Sequence, residues 1–114
     1  MKKILIFVLL LVINSSVLAH SKLTEISPQD NITYDGVPTR IKMKFNSEVK
    51  LIKINLMRIN DKEKINLDTS SLGNNSTKYI IPMPQLDIGK YRLQWRALSL
   101  DGHIIKGKSD FTVK

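Results

Sequence analysis

The sequence predicts an all-β protein, an antiparallel β-sandwich of about seven short strands. Segments in which apolar and polar residues alternate recur along the chain and are separated by turn-forming residues. After the first nineteen residues, no segment has the apolar spacing of an amphipathic helix. The spacing of Leu86, Gly89 and Tyr91 matches the tyrosine corner of Greek-key sandwiches, in which a tyrosine hydroxyl bonds the backbone of the preceding turn.

Residues 1–19 have the organisation of an export signal. Two lysines precede an apolar run over residues 4–13, and small residues up to Ala19 provide a cleavage site for signal peptidase. The run is shorter than the roughly 20 residues of a transmembrane helix, although an uncleaved N-terminal anchor is the alternative. Cleavage after Ala19 would leave one domain, residues 20–114, in the periplasm.

The composition limits what this domain can do. Its 95 residues form one modest core and leave no room for a deep enzyme cleft. Without cysteine, the domain has neither disulfides nor thiolate metal ligands. The formal net charge is +8, or +6 without the first nineteen residues, but the lysines are scattered along the strands. We therefore expect solvent-facing lysines, a monomer and no nucleic-acid partner, with weak attraction to an anionic membrane surface left open.

The first strands are predicted by alternation. Residues 21–28 form a short alternating strand that ends at Pro28, because proline cannot donate to a central ladder. A turn-rich segment follows over residues 29–36. From residue 39, basic side chains on one face alternate with an apolar face formed by Ile41, Met43 and Phe45. This pattern predicts a strand with one buried and one exposed face.

The middle of the chain is less regular. A strand is predicted over residues 51–59, and the apolar phase slips between Leu56 and Met57, which would fit a β-bulge or burial on both faces. The elements expected next are a hairpin turn at residues 60–62, a strand over 63–67, a mobile polar loop over 68–76 and a strand over 78–83.

The last two strands are the most strongly patterned. Over residues 90–98, a basic and polar face alternates with an apolar face formed by Tyr91, Leu93, Trp95 and Ala97. We assign Tyr91 to the tyrosine corner and Trp95 to the core. The final strand, residues 108–114, contributes Phe111 and Val113 to the same core.

A polar turn at residues 99–103 joins these two strands and includes Asp101, Gly102 and His103. The other histidine of the chain, His20, would become the N-terminus after cleavage. A free α-amino group has a pKa of about 8 and loses its proton to a metal easily, and with the imidazole of His20 it closes a chelate ring. Side chains two apart in extended backbone share one side, so Asp101 and His103 could face the same ion.

This donor set contains three nitrogens and one carboxylate oxygen. Such a set suits Cu(II), which also has the highest affinity among divalent first-row metals, although zinc is a competitor. The alternative interpretation is a solvated turn, because Asp-Gly is common in turns.

The sequence also resembles the CopC family of copper resistance proteins over nearly the whole mature chain. The resemblance is carried by Ala19-His20-Ser21, Ser27-Pro28, residues 41–49, Gly89-Lys90-Tyr91, Trp95-Arg96, Ser99-Leu100-Asp101-Gly102-His103, Gly107 and Phe111-Thr112-Val113. It implies an immunoglobulin-like β-sandwich, exported to the periplasm, that binds one Cu(II) ion through the amine and imidazole of His20, with Asp101 and His103.

Some family members also have a methionine-rich Cu(I) site. Here Met43, Met57 and Met83 are isolated, and no third histidine exists in the mature chain. We therefore predict a site for Cu(II) only. Leu100 replaces a small residue, and residues 104–106 replace a segment that usually contains proline, but neither departure removes a ligand.

Three functions follow from these observations. The first is a copper carrier or sequestering protein that serves an inner-membrane copper transporter of the CopD type, and it is not enzymatic. The second is a metal-free structural or adhesive sandwich module. The third is a copper oxidase with a histidine brace, as in copper polysaccharide monooxygenases, but a carboxylate ligand would crowd the copper and the small domain offers little platform for a polymer.

Overall fold

The computed structural model describes residues 21–114, and within this range every regular element is a strand. The strands are β1 (Leu23–Ser27), β2 (Ile32–Tyr34), β3 (Arg40–Arg58), β4 (Lys64–Ile65), β5 (Asn75–Pro82), β6 (Gly89–Ser99) and β7 (Ile104–Val113). The described residues contain no helix of the length and apolarity needed to cross a bilayer. The export signal predicted over residues 1–19 lies outside the described residues.

The long strand β3 connects the two layers of the sandwich. Its first part pairs with β1 and with the end of β5, and its second part pairs with β6 and β4, all antiparallel. Its pairing with β5 shifts register between Lys44 and Val49, where the strand passes from one layer to the other. The sequence predicted two strands here, one from residue 39 and one over residues 51–59, whereas the structure has a single strand.

The core lies between the layers and has the predicted composition. Ile41, Met43 and Phe45 are at most 5% exposed, and from the other layer Tyr91, Leu93, Trp95 and Ala97 are at most 7% exposed. The rings of Phe45 and Trp95 meet edge to face with centroids 5.6 Å apart. Edge-to-face contacts of this kind are a favoured aromatic geometry, so this pair stabilises the packing between the two layers.

The sheet that bears the last strands runs in the order β3, β6, β7, β2. The β6–β7 pair is a continuous antiparallel hairpin, whereas β2 pairs with β7 in parallel, with Ile32 opposite Phe111. This short parallel pairing is an exception at the edge of the predicted antiparallel sandwich. Strand β2 lies in the segment predicted as turns, and its three residues are too few to show a period.

Two further expectations need correction. Of the two explanations offered for the phase slip at Leu56 and Met57, the bulge is wrong, because the register shift against β6 lies between Leu51 and Lys53, and burial on both faces is confirmed. Met57 is half-buried on the face opposite to the fully buried Leu56, which explains the apparent slip in phase. Strand β5 begins at Asn75, so the predicted polar loop ends earlier than expected.

The tyrosine corner is confirmed. The hydroxyl of Tyr91 donates to the carbonyl oxygen of Asp87 at 2.7 Å, and the Tyr91 ring is fully buried and stacks on Phe111. This contact anchors the start of β6. The opposite end of β6 leads into the polar turn at residues 99–103.

Candidate metal centre

The polar turn joins β6 to β7 at one end of the sandwich. The last paired residues of the two strands are Leu98 and Ile104. The backbone N–H of Ser99 donates to the carbonyl of His103 at 2.9 Å, and the N–H of Gly102 donates to the carbonyl of Ser99 at 3.0 Å. Gly102 has φ of +88°, a left-handed conformation that glycine adopts without steric cost. Gly102 is therefore the conformationally permissive residue of this turn.

The structure brings together the side chains of Asp101 and His103. Nδ1 of His103 lies 3.0 Å from Oδ2 of Asp101. A hydrogen bond at this distance requires the proton on Nδ1, which leaves the lone pair of the neutral ring on Nε2. In the metal-free turn the carboxylate thus orients the imidazole, and one ion could bind both side chains by taking the place of the proton between Nδ1 and Oδ2.

The other oxygen of Asp101 is held by the turn itself. Oδ1 accepts the backbone N–H of His103 at 3.1 Å and contacts the hydroxyl of Ser99. The Ser99 side chain is buried at 3% exposure, and its hydroxyl also lies 3.1 Å from the carbonyl of His103. The carboxylate therefore has a defined position, although the side chains of Asp101 and His103 are 36% and 66% exposed.

The sequence analysis did not single out Ser99 as a residue of this site. A signal was available, because the inward alternation of Tyr91, Leu93, Trp95 and Ala97 continues to residue 99. A polar residue at an inward position beside a turn needs a hydrogen-bond partner when it is buried. Here Asp101 and the backbone of His103 are its neighbours.

The first described residues are fixed against β3. The hydroxyls of Ser21 and Ser47 share a short hydrogen bond, and the backbone N–H of Lys22 donates to Oδ1 of Asn46 at 2.8 Å. Val49, two residues after Ser47, pairs with Ser99. Ser21 is therefore hydrogen-bonded to β3 only two residues from Val49, the residue that lies opposite Ser99 at the start of the turn.

Of the three predicted ligands, Asp101 and His103 are described and adjacent, whereas His20 lies outside the described residues. Within residues 21–114 no group of three or more histidine, cysteine or acidic side chains is arranged to hold a metal. The turn by itself offers one carboxylate and one imidazole. A complete site for an ion with four ligands would need donors beyond these two side chains.

A comparison with protein-family models identifies the family of this chain. The model of the CopC domain matches residues 23–114, which include all seven strands and the turn. The chain belongs to the CopC domain family. The resemblance inferred from the sequence motifs is thereby confirmed.

Curated relatives of this CopC-family chain cover most of its length. Copper resistance protein C of Xanthomonas campestris pv. juglandis is 30% identical over 110 residues, which cover 89% of this chain and 85% of the relative. Protein YobA of Escherichia coli K12 is 29% identical over 106 residues, which cover 90% of this chain and 85% of the relative.

Solved structures give the same assignment. The crystal structure of CopC from Methylosinus trichosporium OB3b has a TM-score of 0.69 at 26% identity and covers 83% of this chain and 94% of that protein. PcoC of Escherichia coli, described as a methionine-rich copper resistance protein, has a TM-score of 0.66 at 27% identity and covers 84% of this chain and 100% of that protein. The predicted immunoglobulin-like sandwich is confirmed, and the chain is a member of a family of copper resistance proteins.

Proposed function

We propose that the mature CopC-family chain begins at His20 and carries one Cu(II) ion in the periplasm. The ligands are the N-terminal amine, the imidazole of His20, Asp101 and His103. The observation that carries this proposal is the contact between Asp101 and His103 in the turn. Ser21 lies near this turn, because it is hydrogen-bonded to Ser47 of β3, two residues before the partner of Ser99. His20 directly precedes Ser21 in the chain, so we expect the new N-terminus to lie within reach of the turn.

The donor types favour copper. Amine, imidazole and carboxylate donors suit the tetragonal geometry of Cu(II), and Cu(II) is bound more tightly than other divalent first-row ions by such sets. The contact between Nδ1 of His103 and Oδ2 of Asp101 holds both side chains at one point of the turn, where an ion that replaces the shared proton could bind both. The second donor set that some relatives have is not supported here, because Met43 is fully buried in the core and Met57 and Met83 are half-buried and apart.

Copper is the cargo of this protein, and no reaction is assigned to it. The imidazole of His103 is 66% exposed, so a partner protein can reach an ion bound there. The exposed site favours a carrier or sequestering role in copper resistance, with transfer to an inner-membrane copper transporter of the CopD type. The folded chain acts as a monomer in this proposal.

The alternative functions have less support. Oxidative attack on a polymer would be favoured by exposed aromatic rings beside the site, but Tyr91 and Trp95 belong to the core and are at most 7% exposed. In a metal-free adhesive module Asp101 would serve only to cap the turn, which leaves its second contact, with the exposed imidazole of His103, without a role. We therefore propose a binding protein and not an enzyme.

A competition titration with a weak Cu(II) chelator tests this function. The chain beginning at His20 should withdraw one equivalent of Cu(II), and His103→Ala and Asp101→Ala should each weaken binding by about tenfold or more. Asp68→Ala is the matched control, because Asp68 caps another exposed loop through the backbone of Ser70. Equal affinities in all four chains would contradict the proposed site, and tighter binding of Zn(II) than of Cu(II) would contradict the proposed cargo.

A further inference from the structure

Three cations from three different strands lie side by side on the outer face of the β3–β6–β7 sheet. Lys53 is paired with Arg96, and Arg96 is paired with Lys106, so their side chains form one row across the sheet. Like charges directly opposite one another destabilise a sheet. Within residues 21–114 none of these three cations takes part in a salt bridge. Repulsion within the row therefore destabilises the isolated domain, and an anionic partner would offset this repulsion.

The row borders a shallow cleft of about 480 Å³. The neighbouring row adds Asn55, Gln94 and Lys108, and no carboxylate lines the cleft. In the other layer Lys42 and Lys44 differ, because both lie within 4 Å of the carboxylate of Glu25. The row and its cleft thus form a patch of positive charge with no carboxylate among its lining residues.

Exposed apolar side chains adjoin the row on the side of the polar turn. Ile104, opposite Leu98, is 50% exposed, and Ile52, in the bulge beside Lys53, is 41% exposed. Leu100, at the tip of the turn, is 68% exposed. We call the surface formed by these apolar residues and the cationic row the docking face; its members are Ile52, Lys53, Arg96, Leu100, Ile104 and Lys106.

We propose that the docking face binds the surface of a bilayer that contains anionic phospholipids. Apolar side chains at the tip enter the boundary between headgroups and acyl chains, and the cationic row lies against the phosphates, as in other interfacial proteins that combine apolar area with basic residues. An acidic polypeptide would satisfy the cations, but it would leave the apolar tip in water. This inference extends the proposed function, because it places the Asp101–His103 turn at the membrane surface.

Sedimentation with lipid vesicles tests the proposal on copper-free protein, so its outcome does not depend on the copper site. The protein used in this experiment is the chain that begins at His20, which includes all seven described strands and the core. It should sediment with vesicles of phosphatidylcholine and phosphatidylglycerol and remain in solution with phosphatidylcholine alone. The triple variant Lys53→Gln, Arg96→Gln, Lys106→Gln should bind more weakly by about fivefold for each cation removed.

The matched control removes the same charge from the other layer through Lys42→Gln, Lys44→Gln and Lys78→Gln. It should bind nearly as well as the unaltered chain. Equal weakening of the two triple variants would show attraction by net charge alone and would overturn the docking face. Failure of the unaltered chain to bind anionic vesicles, or binding to polyglutamate in preference to them, would overturn the assignment to lipid.

The apolar part of the face has its own test. Leu100→Ser with Ile104→Ser should reduce the binding that remains after salt screens the cations, because apolar insertion depends little on ionic strength. Ile88→Ser is the control, since Ile88 is 79% exposed but precedes the start of β6, at the opposite end from the turn. The same loss with both variants would refute insertion at the tip. Thermal melting of every variant identifies any that is not folded, and only folded variants are compared.

Discussion

A buried hydroxyl helps to decide where the Asp101 carboxylate lies. Ser99 is the last residue of β6, and its side chain faces inward, where it contacts Oδ1 of Asp101. The backbone of His103 holds the same oxygen. These contacts leave Oδ2 beside Nδ1 of His103, so the end of one strand positions both exposed side chains of the candidate site.

We predict that Ser99→Ala weakens Cu(II) binding by about tenfold, because partners that orient metal ligands contribute to affinity on this scale. Ser109→Ala is the control. Ser109 is also buried, lies in the middle of β7 beyond the turn, and donates to the carbonyl of Pro28 at 2.7 Å. Both variants should lose stability in urea denaturation, but only Ser99→Ala should lose affinity in a chelator competition. Unchanged affinity of Ser99→Ala would show that its hydroxyl does not position the site.

Close packing requires glycine at position 107. A Cβ there would lie 2.8 Å from Cζ2 of Trp95, well inside van der Waals contact, and the indole is fixed in the core. We predict that Gly107→Ala lowers the free energy of unfolding by about 1–3 kcal/mol, the usual cost of overpacking. Gly89→Ala should cost less than Gly107→Ala, because the nearest atom to its Cβ is 3.9 Å away. Equal urea midpoints for the two variants would contradict this account.

Much of the candidate site could be predicted at this scale, and some of it could not. The spacing of Asp101, Gly102 and His103 predicted two side chains on one side of a turn, and the structure places them in contact. The route differs from the expected one, because Gly102 has a positive φ and the segment is a turn instead of an extended strand. The role of Ser99 depends on hydrogen bonds that no spacing rule specifies. Binding of copper by Asp101, His103 and His20 stays a prediction.

Among the elements, β6 is anchored at its start by the tyrosine corner. We predict that Tyr91→Phe lowers the free energy of unfolding by about 1 kcal/mol, the typical net value of one hydrogen bond, because the carbonyl of Asp87 loses its donor. Tyr34→Phe is the control, since the Tyr34 hydroxyl accepts an exposed hydrogen bond from the N–H of Gln29. A loss for Tyr34→Phe as large as that for Tyr91→Phe, measured by urea denaturation, would argue against a special role for the corner.

Strands β6 and β7 are also joined by an ion pair that predicts a pH dependence. The guanidinium of Arg92 donates to both oxygens of Asp110 at 2.8 and 2.9 Å, and these hydrogen bonds lower the pKa of Asp110 below its ordinary value of 3.8. A carboxyl with a lowered pKa in the folded state contributes stability that is present above about pH 4. That contribution is lost as the pH falls through the folded-state pKa.

The measurement is the free energy of unfolding of copper-free protein between neutral and strongly acidic pH. Asp110→Asn should flatten the acid limb of this curve, because the variant has no carboxyl to protonate at this position. Arg92→Gln should flatten it in the same way, and the double variant should add little to either single change. An acid limb as steep in Asp110→Asn as in the unaltered chain would contradict the assignment.

The strands differ in how far the sequence specifies them. Strand β6 was predicted closely because its alternation is unbroken, and the inward residues Tyr91, Leu93, Trp95 and Ala97 are all buried. Strand β3 was divided in two, because a strand that changes layers loses its regular pairing at the crossing while its backbone continues. Strand β2 was missed, since three residues gain their strand character from the pairing with β7, which is remote in sequence.

On the scale of the whole molecule, the proposed copper site would link the N-terminus of the mature chain to the β6–β7 turn. The N-terminus and the β6–β7 turn are about eighty residues apart in sequence, so an ion bound by both would be held only by the folded state. We predict that equimolar or excess Cu(II) raises the melting temperature of the chain beginning at His20, and that His103→Ala abolishes the increase. A melting temperature that does not respond to Cu(II) at pH 7 would contradict a site built from distant ligands.

The most direct test compares Cu(II) binding to two chains, one that begins at His20 and one with a single additional residue ahead of it. The extension changes the nitrogen of His20 from an amine to an amide and leaves every described residue in place. Our account predicts that the chain beginning at His20 binds one copper tightly, with a tetragonal, nitrogen-rich electron paramagnetic resonance spectrum, and that the extended chain binds much more weakly. Equal affinity and the same spectrum for both chains would show that the N-terminal amine is not a ligand.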